Sequence, residues 1–331
     1  MSARRVSGWS ATVRAILYTV AGVPPPFDHA GTWLRCQLHA HTHHSDGEPT
    51  TTGLVEHYAR AGYDVLAITD HWLITLHEPA ADGSSDLLLI PSSELSARLD
   101  GGLEADVLAY GIDELPEPRE EFPSIADAAR WITGKGGVAF LAHPYWSGLT
   151  ADHYLGAPDL SGIEVYNGGS ELLQGNGLSA VHWDDILQRG GSCLGIATDD
   201  SHYAGQDSRL AWTMVRAPER SRTAVLAALR SGSFYSSTGA EVRGVDVHDD
   251  GRVDVRTSPA RSVTLRSGRW DGCRVNAHPL EMHWRGSVVE RADDGSIVAA
   301  RFDPPEFEKW ARVEVVGRDG ALAWSNPFAV G

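Results

Sequence analysis

The stretch "LHAHTHHSDG", residues 38–47, places His39, His41, His43, His44 and Asp46 within eight positions, directly after a short apolar run. Imidazole nitrogens and carboxylate oxygens are the donors that borderline divalent cations take. A cluster this dense is either part of a metal site or a histidine-rich tract without structure, and partners elsewhere in the chain decide between the two. His39 and His41 alternate with Ala40, so on an extended segment both point to the same side. Asp46 follows past a turn marked by Ser45 and Gly47.

Further ligand-type residues recur after apolar runs. Asp70 and His71 follow "VLAIT", Glu94 follows "LLLIPSS", and His143 follows "GGVAFLA". Glu164 and Asn167 lie in "GIEVYN", and Asp199, Asp200 and His202 follow "SCLGIAT". Taken singly, each is an ordinary rim residue or helix cap. Agreement across five strand ends favours a shared centre.

The elements that must position them are legible between Trp33 and about Arg230. The runs above, with "WLRCQL" and "DVLAYGI", read as buried strands. Amphipathic segments lie between several of them. "TTTGLVEHYARAG" has threonine caps and an apolar face of Leu54, Val55, Tyr58 and Ala59, and "PSIADAARWITGKGG" has a Ser124 cap and a glycine stop. "LSAVHWDDILQRGG" and "ERSRTAVLAALRSG" end the same way. Alternation of strand and helix predicts an α/β fold with parallel strands and helical crossovers, a barrel or a large open sheet. In a parallel barrel, strand ends of one sense meet at one rim, and that rim carries the active site. Past Gly239 the pattern shifts to short alternating runs broken by Asp-Gly turns, which predict a small antiparallel β domain over 241–331.

The motifs "LHAHTHHSDG", "AITDH", "SSELSA", "AHP" and "ATDDSH" resemble, in order, those of the PHP (polymerase and histidinol phosphatase) superfamily. "VYNGG", "LAALRSGSFYSSTGAEV" and "VEVVGRDGALAWSNPF" are similar to its carbaryl-hydrolase-like (CehA/McbA-type) branch. The resemblance runs from about residue 30 to the C-terminus. It implies a distorted TIM-like barrel of seven βα units over 1–240, with 1–30 as an extension, followed by a β-sandwich-like domain. It further implies two or three divalent ions (zinc, manganese or iron) and no organic cofactor. His39, His41, Glu94 and Asp200 would hold one ion, and Asp46, His71 and His202 another. Glu94 would bridge to a further position that includes His143. Where many relatives show a histidine, this chain has Asp106 in "DVLAYGI", a departure that could leave two metals rather than three. Asp70 and Asp199 look like partners that orient the histidines. His43 and His44 fall at variable positions of the family pattern, facing substrate or forming plain loop.

Hydrolysis by a metal-activated hydroxide is the chemistry this predicts, most simply of a small phosphate mono- or diester. Hydrolysis of an amide, ester or carbamate by the same centre is the alternative. A non-catalytic metal-binding or recognition protein is a third reading. His143, His202 and Asp200 are the catalytic candidates, with His143, His202 or a bound water as proton donor to the leaving group. Arg209 is a candidate phosphate contact or a plain surface arginine. Tyr145, Trp146 and Trp72 could line an apolar pocket or pack the core.

Composition bounds the partners. Acidic residues outnumber basic ones 44 to 28 for a net charge of −16, and the only lysines are Lys135 and Lys309. Without a basic face, duplex nucleic acid is not an expected partner; a small molecule is. Cys36, Cys193 and Cys273 are too widely spaced for a metal clamp or disulfide framework and read as small hydrophobes in a reducing, cytoplasmic setting. The apolar run "AILYTVAGV" near the N-terminus imitates a signal peptide weakly, since Arg14 precedes it and "VPPPFDH" follows. No apolar run is long enough for a membrane span.

Overall fold

The computed structural model describes residues 27, 30–76, 86–278 and 285–330. The signal-like stretch, up to residue 26, lies outside them. Among the described residues, no helix is long and apolar enough to cross a membrane.

Strands form where the apolar runs stand: β1 (Thr32–Gln37), β2 (Val65–Ala67), β3 (Leu88–Ile90), β4 (Ser92–Arg98), β5 (Glu104–Tyr110), β6 (Val138–Leu141), β7 (Gly162–Asn167), β8 (Leu194–Thr198), β9 (Trp212–Ala217) and β10 (Phe234–Ser237). Helices lie between them: α1 (Thr51–Arg60), α2 (Ile125–Gly134), α3 (Ala151–Leu155), α4 (Gly168–Gln174), α5 (Ala180–Gln188) and α6 (Arg222–Ser231). Thr50, Ser124 and Ser221 each cap a helix by accepting a backbone N–H with the side-chain oxygen. Helix α1 buries Leu54, Val55 and Tyr58. Cys36 and Cys193 are buried and unpaired, and Cys273 is half-buried.

The strands make two sheets rather than a closed parallel ring. One runs β4-β5-β6-β7-β8. In it β4, β5 and β6 pair antiparallel, and β6, β7 and β8 pair parallel. The other begins β3-β2-β1-β9-β10 and continues into the C-terminal strands. There β1, β2 and β3 are parallel, while β9 lies antiparallel to β1 and to β10. The α/β class expected from the sequence is present; a TIM barrel is not. The chain reverses directly from β4 into β5 through Asp100–Gly102, with no crossover helix, so those strands cannot be parallel. Isolated bridges, Ala40 to Ser201 and His71 to Glu94, join the two sheets at their ligand-bearing ends.

Past residue 241 the strands of the described chain all pair antiparallel. Long Val253–Arg266 pairs with Trp310–Gly317, which pairs with Leu322–Ser325, and this last strand pairs with β10. A core of Val245, Val255, Val263, Phe302, Val313 and Phe328 fills this region. Arg312, fully buried, donates to Asp184 on α5 at 2.6 Å and lies 4.6 Å over the Trp183 ring, tying the C-terminal strands to that helix.

Candidate metal centre

The backbone brings the β1 extension between two neighbours. His41 N–H donates to Ser201 C=O at 2.9 Å and Asp200 N–H to His39 C=O at 3.0 Å, while Thr69 N–H donates to Ala40 C=O on the other side at 2.9 Å. His39 and His41 therefore share one face, as their spacing predicts. Their Nε2 atoms lie 3.1 Å apart. Glu94 Oε2 stands 3.1 Å from His39 Nε2 and 3.3 Å from His41 Nε2. Asp200 Oδ1 stands 3.2 Å from both.

These distances resemble the edges of a tetrahedron. Ligand atoms about 2.0–2.1 Å from a central ion lie about 3.3–3.4 Å from one another. Glu94 Oε1 is buried without a hydrogen-bond partner, and His143 Nε2 lies 3.3 Å from it. A buried carboxylate oxygen that faces an imidazole without a well-formed hydrogen bond has room for a cation to meet it. The donor set thus fits a divalent ion, and three groups have the required closeness: His39, His41 and Asp200; His41, Asp46 and His71; and Glu94, Asp106 and His143.

The second group is open. Asp46 is 53% exposed, with its Oδ2 3.3 Å from His202 Nε2 and 3.5 Å from His71 Nε2. The His202 ring stacks on His41 at 4.3 Å. In the third group Asp106 accepts from Ser96 Oγ at 2.8 Å.

Glu164 orients the centre. The carboxylate is fully buried in β7 and accepts from His39 Nδ1 at 2.8 Å, His143 N–H at 2.7 Å, Thr198 Oγ1 at 2.6 Å and Asn167 Nδ2 at 2.8 Å. A proton on Nδ1 leaves the His39 Nε2 lone pair facing the cluster. Asn167 also donates to Asp200 Oδ2 at 3.1 Å and caps α4 by accepting Ser170 N–H. His143 Nδ1 pairs with Ser147 Oγ, and His202 Nδ1 donates to the Asp200 carbonyl.

Asp70 and Asp199 do not orient the histidines as expected. Asp70 accepts from Thr42 N–H, Thr42 Oγ1, Ser45 Oγ and Thr75 Oγ1, pinning the turn that presents Asp46. Asp199 accepts from Tyr58 Oη and the N–H groups of Arg209, Leu210 and Ala211. Both sit where the chain leaves a strand and turns; Asp199 takes up freed backbone donors, and Asp70 takes one backbone N–H and three hydroxyls. Gly47 closes the first turn; a Cβ there would stand 2.6 Å from the His41 carbonyl carbon.

His143, Asp200 and Trp72 have φ of 27°, 54° and 54°. Such backbone costs energy and persists where surrounding structure enforces it.

The charges are strongly coupled. Burial opposes a proton on His39, yet Asp200, Glu94 and Glu164 outweigh it and raise its pKa well above the usual value. Burial is likewise overridden at His41, pushed up to about 9 by Asp200 and Glu94, and at His143, pushed up to about 9 by Glu94. Burial would raise Glu94 and Asp200, but the imidazoles hold both well below the carboxylate range. Asp46 is held low by His202 and His71.

A cavity of about 270 Å³ opens over the cluster, lined by the ligand-type groups together with Trp146, Leu173, Gln174, Tyr203 and Asp207. Arg209 is exposed and does not line it. His43 and His44 are also exposed and outside it, with rings 4.2 Å apart. Tyr145 turns its ring toward His182, and Trp72 stacks on Phe122.

No family model and no curated protein matches the chain. Among solved structures, a two-domain protein containing a predicted PHP-like metal-dependent phosphoesterase, from Bacteroides vulgatus ATCC 8482, is similar to it. The TM-score is 0.52 at 18% identity, covering 92% of this chain and 97% of that one. The chain shares the fold of that two-domain protein.

An amidohydrolase from Chromobacterium violaceum, solved with sulfate and no metal, aligns at a TM-score of 0.39 and 18% identity, over 52% of this chain and 89% of its own. PsfC from Pseudomonas syringae PB-5123 aligns at 0.43 and 14% identity, over 57% and 84%. Sequence reasoning assigned no role to the mid-strand acid Glu164 or to the cavity residues Leu173, Gln174, Tyr203 and Asp207. A lone glutamate between Ile163 and Val165 in an otherwise apolar strand was the available signal for the first.

Proposed function

We propose that this protein is a metal-dependent hydrolase of the PHP superfamily that cleaves a small phosphate ester with water. The observation that carries the reading is the cage of His39, His41, Glu94 and Asp200, with donor atoms 3.1–3.3 Å apart along each edge given above. His41, Asp46 and His71 form a second set beside it, with His202 next to Asp46, and Glu94 with Asp106 and His143 a third. A bound divalent ion would acidify water and offset charge at the attacked centre.

The chain's own residues do the rest. Glu164 fixes the tautomer of His39, and the Asp200 carbonyl fixes that of His202. Asp70 holds the turn bearing Asp46, and whichever of His143 and His202 holds no ion stands beside the cavity as proton carrier to the leaving oxygen. Ester hydrolysis forms one bond from the water oxygen to phosphorus, breaks the bond to the leaving oxygen, and delivers a proton to that oxygen. The division at about residue 240 and membership of the carbaryl-hydrolase-like branch belong to the same reading, the latter supported by the motifs alone.

One observation favours the alternative of amide, ester or carbamate hydrolysis: among the described residues, no lysine or arginine lines the cavity. The test is metal quantification followed by assays of manganese- and zinc-loaded protein on p-nitrophenyl phosphate, bis(p-nitrophenyl) phosphate and p-nitrophenyl acetate. Turnover of the phosphate esters alone supports the phosphoesterase reading, and turnover of the acetate alone supports the alternative. Fully metal-loaded protein inert toward all three would sink both.

A further inference from the structure

Among the described residues, no lysine or arginine lines the cavity. The titratable groups that the described residues place around it are histidines, the Tyr203 phenol and the carboxylates of Asp46, Glu94, Asp106, Asp200 and Asp207. Asp207 is spent on its own loop, accepting Ser201 Oγ and the N–H groups of His202 and Tyr203. Two divalent cations would just balance the remaining four carboxylates. A doubly charged phosphomonoester would then find little net attraction, and no arginine fork to grip its oxygens.

Two large apolar side chains stand at the mouth of the same cavity, beside the exposed Asp46, Gln174 and Tyr203. Trp146, 46% exposed, lies edge-on to the His143 ring at 5.0 Å, and Leu173 on α4 is 73% exposed. Both line the cavity. Large apolar side chains left in water next to polar reactive groups mark the part of a pocket that orients a ligand by its nonpolar body.

We propose that the site takes a singly charged phosphodiester carrying a flat apolar group, with Trp146 and Leu173 as the residues that select it. This rests on the phosphoesterase reading and goes further in naming charge and shape.

The test is calorimetric binding of three ligands without a cleavable ester to metal-loaded protein: diphenylphosphinate, dimethylphosphinate and phenylphosphonate. Diphenylphosphinate should bind at least about 10-fold more tightly than dimethylphosphinate, the gain expected for covering one phenyl ring. That ratio should collapse toward one in the Trp146→Ala, Leu173→Ser double variant with metal content unchanged. Leu173→Ser alone should lower it too, which separates the effect from the contact of Trp146 with His143. Equal binding of the two phosphinates, a ratio unchanged in the variants, or tighter binding of the phenylphosphonate dianion would overturn the inference. If bis(p-nitrophenyl) phosphate were still cleaved in that case, the phosphoesterase reading would stand without it. Protein that binds no metal would remove both.

Discussion

His39 Nδ1 and Glu164 Oε1 lie 2.8 Å apart with both side chains fully buried, although 125 residues separate them in the chain. The same carboxylate accepts the backbone N–H of His143. One side chain from the middle of a strand thus sets the position of two of the imidazoles at the centre.

Glu164→Gln keeps the shape and removes the charge. Its amide must turn an N–H toward at least one of the donors it now faces. We expect metal affinity to fall about 10- to 100-fold, as for other supporting partners of metal-bound histidines. Competition titration with a chelating dye measures this, and unchanged affinity would show that Glu164 does not act on the centre.

His41→Ala and Asp200→Ala each delete a donor that stands within 3.3 Å of Glu94 Oε2 or the histidine Nε2 atoms. Both variants should lose bound metal and turnover while circular dichroism stays that of the parent. Parental metal content in both would contradict the assignment.

Asp70→Asn weakens the anchor of the 42–45 turn without touching an imidazole. Substituting an amide where backbone and hydroxyl donors converge costs about 1–3 kcal/mol. The loss should fall on the outer group containing Asp46, so metal stoichiometry should drop while the tightest site persists. Sequential metal titration resolves the two.

The pH dependence follows from His41 and His143, both raised to about 9 in the metal-free protein. The unfolded value is about 6.5. A raised folded pKa contributes stability that is complete below about 6.5 and is lost as pH climbs through about 9. Metal-free protein should therefore melt at progressively lower temperature between pH 6.5 and 9.5. Metal affinity should rise over the same window, because ligand imidazoles must shed their protons. Melting curves with and without zinc check both, and a flat metal-free profile would count against the coupling.

Much of the fold could be read from residue patterns. The strand "GIEVYN" falls at Gly162–Asn167 as its apolar run predicts, and the caps at Thr50 and Ser124 stand where their side chains imply. The hairpin of β4 and β5 was not legible, because "SELSARLDGGLEADV" is half polar and its strands meet through pairs such as Ser96 with Asp106. For the site, sequence order placed His39, His41, Glu94 and Asp200 near one another. It could not say what each acid does. Asp70, Asp199 and Glu164 are alike in type, and only the neighbouring donors assign two of them to backbone turns and one to an imidazole.

The seam between the two sheets carries a further consequence. Ala40 meets Ser201 and His71 meets Glu94 through single rungs, each beside a residue of the donor cage. A cation bound there would work as a rivet as well as a reagent. Retuning the chemistry at Glu94 or His71 would loosen the joint that keeps the two halves aligned, so selectivity is more freely altered at Leu173, which stands clear of it.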